Sequence, residues 1–91
     1  MIDIKKGEKS FYVGDNEDEP LAKMGLVDSG DAIIIDHTFV SEQLRGQNVG
    51  RQLLKKVVDF AKEKNKTIIP ICPFANAELN KNSDYKDLLR K

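Results

Sequence analysis

The chain has 91 residues, which suits a single domain over residues 1–91 with a thin core, because a chain this short buries only about 60–65% of its unfolded surface. Fifteen Lys and Arg balance fifteen Asp and Glu, which excludes both the global basic field of a nucleic-acid binder and the acidic excess of a disordered tail. Cys72 is the single cysteine, so no internal disulfide forms; no Cys/His cluster has metal-ligand spacing, no signal peptide is legible, and no apolar run nears the roughly 20 residues that span a bilayer. The expectation is a cytoplasmic monomer without metal, membrane or nucleic-acid partner.

In chain order, Met1 to Glu8 alternates at Ile2 and Ile4 and frames a short edge strand. Lys9 to Val13 is rich in β-formers and ends at the turn signal Gly14-Asp15. Asp15 to Pro20 reads as a solvated acidic hairpin loop. Leu21 to Val27 and the β-branched run Ala32 to Val40 flank the turn cluster Asp28-Ser29-Gly30-Asp31. Three strands joined by short polar turns predict an antiparallel meander. Val49, Leu53, Leu54, Val57, Val58, Phe60 and Ala61 then form an apolar stripe at helical spacing, which predicts a helix over 50–64. Asn65 suits a left-handed cap at its end. Thr67 to Ile71 reads as a short strand that Pro70 confines to an end, bulge or edge. A short helix over Ala75 to Asn80 follows, and a last turn over Ser83 to Leu89 with Ser83 as N-cap. The fold class is mixed α/β: an antiparallel-rich central sheet, one main helix and short C-terminal helices.

The segment Leu44 to Leu54 carries the chemistry. It joins an apolar strand to a helix start through a glycine-bearing loop. Unpaired N–H groups and the helix dipole, worth about half a positive charge, make such a junction an anion site. Arg45 and Arg51 add charge on either side, as a pyrophosphate requires.

Arg45-Gly46-Gln47-Asn48-Val49-Gly50-Arg51, followed by Leu53-Leu54, resembles the acyl-CoA-binding motif of the GNAT N-acetyltransferases, Gln/Arg-x-x-Gly-x-Gly/Ala. In that register Asn48 stands for the first glycine, and Asn is a residue that tolerates left-handed backbone. Ile35-Asp36-His37-Thr38-Phe39-Val40 before the loop, and Pro70-x-Cys72-Pro73-Phe74 with Tyr85-Lys86-Asp87-Leu88 after it, strengthen a resemblance to the minimal single-domain members. That subgroup often has His-Pro-Glu-Tyr where this chain has Asn82-Ser83-Asp84-Tyr85, so any role of that histidine is absent.

The resemblance implies a GNAT-like fold, acetyl-CoA or coenzyme A as co-substrate, and transfer of acetyl to a small-molecule or protein amine. It implies that Arg45, Gly46, Gln47, Asn48, Val49, Gly50 and Arg51 cradle the pyrophosphate, and that backbone groups of Phe39 and Val40 bond the pantetheine arm. Cys72, Phe74 and Asn76 would line that arm, with Tyr85 nearby or on the core. The glycines would let backbone approach phosphate. By strict strand alternation His37 shares a face with Ile33, Ile35 and Phe39. It reads either as a core histidine or as the general base that frees the attacking amine. Cys72 reads as a small buried hydrophobe, or as a group beside the thioester that lines the site or carries the acyl covalently; direct transfer is favoured. The rival functions are a non-catalytic CoA-binding or regulatory module and a small interaction protein. Lys81, Lys86, Arg90 and Lys91 read as solvated surface that can also meet the adenosine phosphate.

Overall fold

The computed structural model describes residues 3–88. Expectations on Ile2, Leu89, Arg90 and Lys91, and on the capping side chain of Ser83, lie outside the described residues. Strands β1 (Lys5–Lys6), β2 (Ser10–Val13), β3 (Ala22–Asp28) and β4 (Ala32–Val40) are antiparallel neighbours in sequence order. Helix α1 (Val49–Glu63) then crosses to β5 (Thr67–Pro70), which pairs with β4 in parallel. Helices α2 (Pro73–Lys81) and α3 (Ser83–Lys86) complete the mixed α/β fold. No helix among the described residues is long and apolar enough to cross a membrane.

Helix α1 forms because Val49, Leu53, Leu54, Val57, Val58 and Ala61 fall on one stripe, and all six are buried. It stops at Asn65, whose φ of +56° turns the chain left-handed. Lys66 N–H then donates to the Ala61 carbonyl (2.8 Å) and Asn65 N–H to the Lys62 carbonyl (3.2 Å), the paired bonds of a Schellman ending. Helix α2 begins two residues before the expected Ala75, since Pro73 occupies its first turn, where a missing N–H costs nothing.

Strand β4 departs from strict alternation. Its register with β3 runs Val40 to Ala22, Phe39 to Lys23, Thr38 to Met24 and His37 to Gly25, then jumps to Ile35 opposite Leu26. Asp36 is the extra residue of a β-bulge. Ile33 and Ile35 face the core below the bulge. Above it, Thr38 and Val40 face inward instead, opposite the fully buried Met24 and Ala22. His37 and Phe39 turn to the other face, which corrects the expectation that they share a face with Ile33 and Ile35. A Cβ on Gly25 would strike the Asp36 carboxylate and the His37 ring, so glycine makes room for the bulge.

The acidic loop is more than a solvated connector. The Glu17 carboxylate accepts from the Ser10 hydroxyl (2.6 Å) and from the N–H groups of Lys9 (3.0 Å) and Glu8 (3.1 Å). The Ser10 bond first, then the Lys9 amide, hold the Glu17 carboxyl below its ordinary value of 4.5. Ser10 is fully buried. Glu17→Ala should therefore lower the unfolding free energy by about 1 kcal/mol at neutral pH. A depressed folded value gives stability that is present above pH 4.5 and is lost as pH falls through the folded value. Urea unfolding at pH 7 and pH 3 should show the deficit at the first and a smaller one at the second.

Candidate acyl-donor cleft

The site exists because β5 stops early. Pro70 is opposite Ile35 in the last paired position of β4 and β5, and its missing N–H falls on the side away from β4, where Ile68 N–H bonds the Leu88 carbonyl, so the proline breaks no bond of the pair. The next two amides, of Ile71 (3.0 Å) and Cys72 (3.1 Å), both donate to the Ile35 carbonyl. Beyond that point the chain turns into α2, while β4 runs on through Asp36–Val40 with no β5 residue beside it. Its edge on that side faces a cleft of about 470 Å³.

The cleft wall is built from three elements. Strand β4 contributes Thr38 and Val40, the loop and α1 contribute Leu44, Arg45, Gly46, Asn48, Val49, Gly50 and Arg51, and α2 contributes Phe74 and Glu78. The loop is a 3-10 turn over Glu42–Leu44 followed by further turns into α1. Gly46 has φ +87° and Asn48, the N-cap of α1, has φ +58°. Asparagine thus serves where the motif has glycine, by the left-handed tolerance expected of it. The first-turn amides of α1 lack intrahelical acceptors, and Arg45 and Arg51 flank them. Together these groups gather positive charge at the loop end of the cleft. Arg51 is already engaged: its Nε lies 3.5 Å from Glu78 Oε1, and Lys81 Nζ lies 3.7 Å from the same oxygen.

On the β4 wall Thr38 Oγ1 lies 3.3 Å from Cys72 Sγ. Cys72 is the N-cap of α2 and only 6% exposed, and it stands behind Thr38 rather than in the cleft wall. Burial pushes its thiol up, but the Thr38 hydroxyl and the amides of Ala75, Phe74 and Thr38 around the sulfur outweigh this, and the net direction is down.

The other expected residues fall elsewhere. His37 is exposed on the opposite sheet face, with Nδ1 2.9 Å from Asp36 Oδ1, because the bulge rotated it outward. Phe39 is outward as well, 48% exposed, and is not among the residues that line the cleft. Gln47 points away and bonds the Gln43 carbonyl at 3.4 Å. Asn76 is exposed, and its side chain accepts from Asn80 at 2.8 Å. Tyr85 packs on the core. Gly50 has a reason different from the expected one: an ideal Cβ there would lie 2.9 Å from Phe74 Cζ. The glycine accommodates the aromatic ring, while at Gly46 the space is open and the positive φ decides.

Leu44, Thr38 and Glu78 were not legible as site residues. Thr38 was hidden by the bulge. Glu78 had a readable signal, since it lies one helical turn beyond Phe74 on the same face of α2. Among the described residues no group of His, Cys, Asp and Glu is arranged to hold a metal.

The family model for GCN5-related N-acetyltransferases matches residues 10–88. This chain belongs to that family. A solution NMR structure of a GCN5-like candidate N-acetyltransferase from Staphylococcus aureus superposes with a TM-score of 0.81 at 44% identity, covering 98% of this chain and 88% of that one. No curated protein sequence matches the chain. Membership accounts for the strand–loop–helix order, and the local geometry above is what this GNAT domain builds on it.

The contact between Gly50 and Phe74 couples α2 to the first turn of α1. Gly50→Ala should cost about 1–3 kcal/mol through overpacking. Adding Phe74→Leu should recover part of that loss. A thermal-melt double-mutant cycle reads the coupling, which would be near zero if the ring did not occupy the Cβ position.

Proposed function

We propose that this GNAT domain transfers an acetyl group from acetyl-CoA to an amine. The observation that carries the reading is the cleft between the unpaired end of β4 and the start of α1, flanked by Arg45 and Arg51 and lined by strand edge. An acyl-CoA has that same polarity: an anionic diphosphate, then an amide-bearing arm, then a thioester. Fit is supported by the open side of Gly46, by Asn48 in its left-handed conformation and by the free β4 edge. When bound, the co-substrate supplies the activated acyl group. Arg45, Arg51 and the first-turn amides of α1 would hold the diphosphate, and the β4 edge beside Val40 would bond the arm. A backbone N–H of that edge polarises a carbonyl without reorganisation, the usual way to stabilise an oxyanion.

A rival reading, binding without chemistry, gains support from the position of His37 outside the cleft. Release of free thiol from acetyl-CoA in the presence of an amine panel separates the two. The diphosphate assignment is tested by titration. Amide resonances of Asn48 to Arg51 should shift on adding CoA, and Arg51→Gln should weaken binding about tenfold, as expected for one lost charge-assisted contact. The deficit should shrink as salt rises. Equal affinity of the folded variant and the parent would refute the assignment.

A further inference from the structure

Departure of a thiolate from a tetrahedral adduct is helped by a proton, and the cleft offers few sources of one. Among the described residues that line it, Thr38 alone carries a hydroxyl. Thr38 lines the cleft from β4, two residues before Val40, on the strand edge where the thioester of the proposed co-substrate would lie. Its Oγ1 lies 3.3 Å from Cys72 Sγ, which is buried behind it. A lone hydroxyl is too weak an acid to give up its proton unaided. It becomes a competent donor when a second acid replaces that proton in the same step.

The geometry points to a Thr38–Cys72 proton relay, in which the Thr38 hydroxyl protonates the departing CoA sulfur and the Cys72 thiol reprotonates Thr38. The relay rests on the acetyl-transfer reading. As the nitrogen of a neutral amine bonds to the carbonyl carbon, the carbon–sulfur bond breaks and its electron pair goes to sulfur. The Thr38 O–H proton passes to that sulfur, and the Cys72 S–H proton passes to the Thr38 oxygen. Cys72 is left as a thiolate. The new amide nitrogen gives its extra proton to water, and water returns one to Cys72. Products are the amide and free CoA thiol, and both residues end as they began. Two features suit Cys72 to this role. Cys72 is the N-cap of α2, and the positive end of that helix dipole stabilises the transient charge. Its burial behind Thr38 keeps it from attacking the acyl carbon, so no acetyl-cysteine forms.

The test compares Thr38→Val, which removes the hydroxyl at nearly constant volume, with Thr38→Ser, which keeps it. Free-thiol release from acetyl-CoA is measured across an amine panel in H2O and D2O. Thr38→Val should lower kcat about tenfold or more and abolish the solvent isotope effect, with KM for acetyl-CoA changed less than about twofold. Thr38→Ser should recover most of kcat. A second readout needs no turnover: on titration with CoA, the Cβ carbon resonances of Thr38 and Cys72 should move together in the parent, and that of Cys72 should stay fixed in Thr38→Val. Parent-like turnover by Thr38→Val, or a serine variant as slow as the valine one, would overturn the relay alone. CoA binding with no thiol release by the parent for any amine would overturn acetyl transfer and the relay together.

Discussion

One carbonyl oxygen organises the site. Ile35 accepts hydrogen bonds from both Ile71 and Cys72 just past the last β4–β5 pair, and Pro73, at the next position whose N–H would face β4, has none to give. A parallel pair normally continues residue by residue with evenly spaced bonds. Two donors on one acceptor force the following chain out of register, and it leaves the sheet as α2. The remaining length of β4 is then an edge inside the molecule, next to a helix start. Edges of this kind pair readily with another extended chain. A cleft of limited volume beside cationic residues suits an extended, anionic arm better than a second strand.

The bulge at Asp36 makes that edge useful. Without it, Thr38 and Val40 would point away from the helices, and His37 and Phe39 would point into the cleft. The extra residue reverses the alternation for four positions, and Gly25 opposite is the accommodation that permits it. Val40 then seals the sheet end of the cleft, Thr38 meets Cys72, and Phe74 closes against Gly50. These contacts bind α2 to β4 and α1 near the first turn of α1, so the cationic helix start and the Cys72 thiol are parts of one packed unit.

Much of this was legible from the residues. Helix α1 follows from its stripe, its left-handed end from Asn65, the meander from the turn clusters, and the turn between β4 and α1 from Gly46. Asn48 was readable as a left-handed position because few other side chains accept one. What was not legible depends on contacts distant in sequence. A bulge is set by the partner strand, so the face of Thr38, His37 and Phe39 could not be taken from alternation alone. The reason for Gly50 lies 24 positions away, in the Phe74 ring. Glu17 was read as solvated because its partners, Glu8 to Ser10, come together with it only once β2 is placed.

The central claim is that an acyl-CoA arm lies along the free edge of β4 between α1 and α2. Intermolecular nuclear Overhauser effects between CoA and protein carrying labelled methyl and aromatic groups test it most directly. The account predicts contacts from the pantetheine protons to Val40, Thr38 and Phe74. Contacts confined to the opposite sheet face, at Val27 and the Phe39 ring, would contradict it.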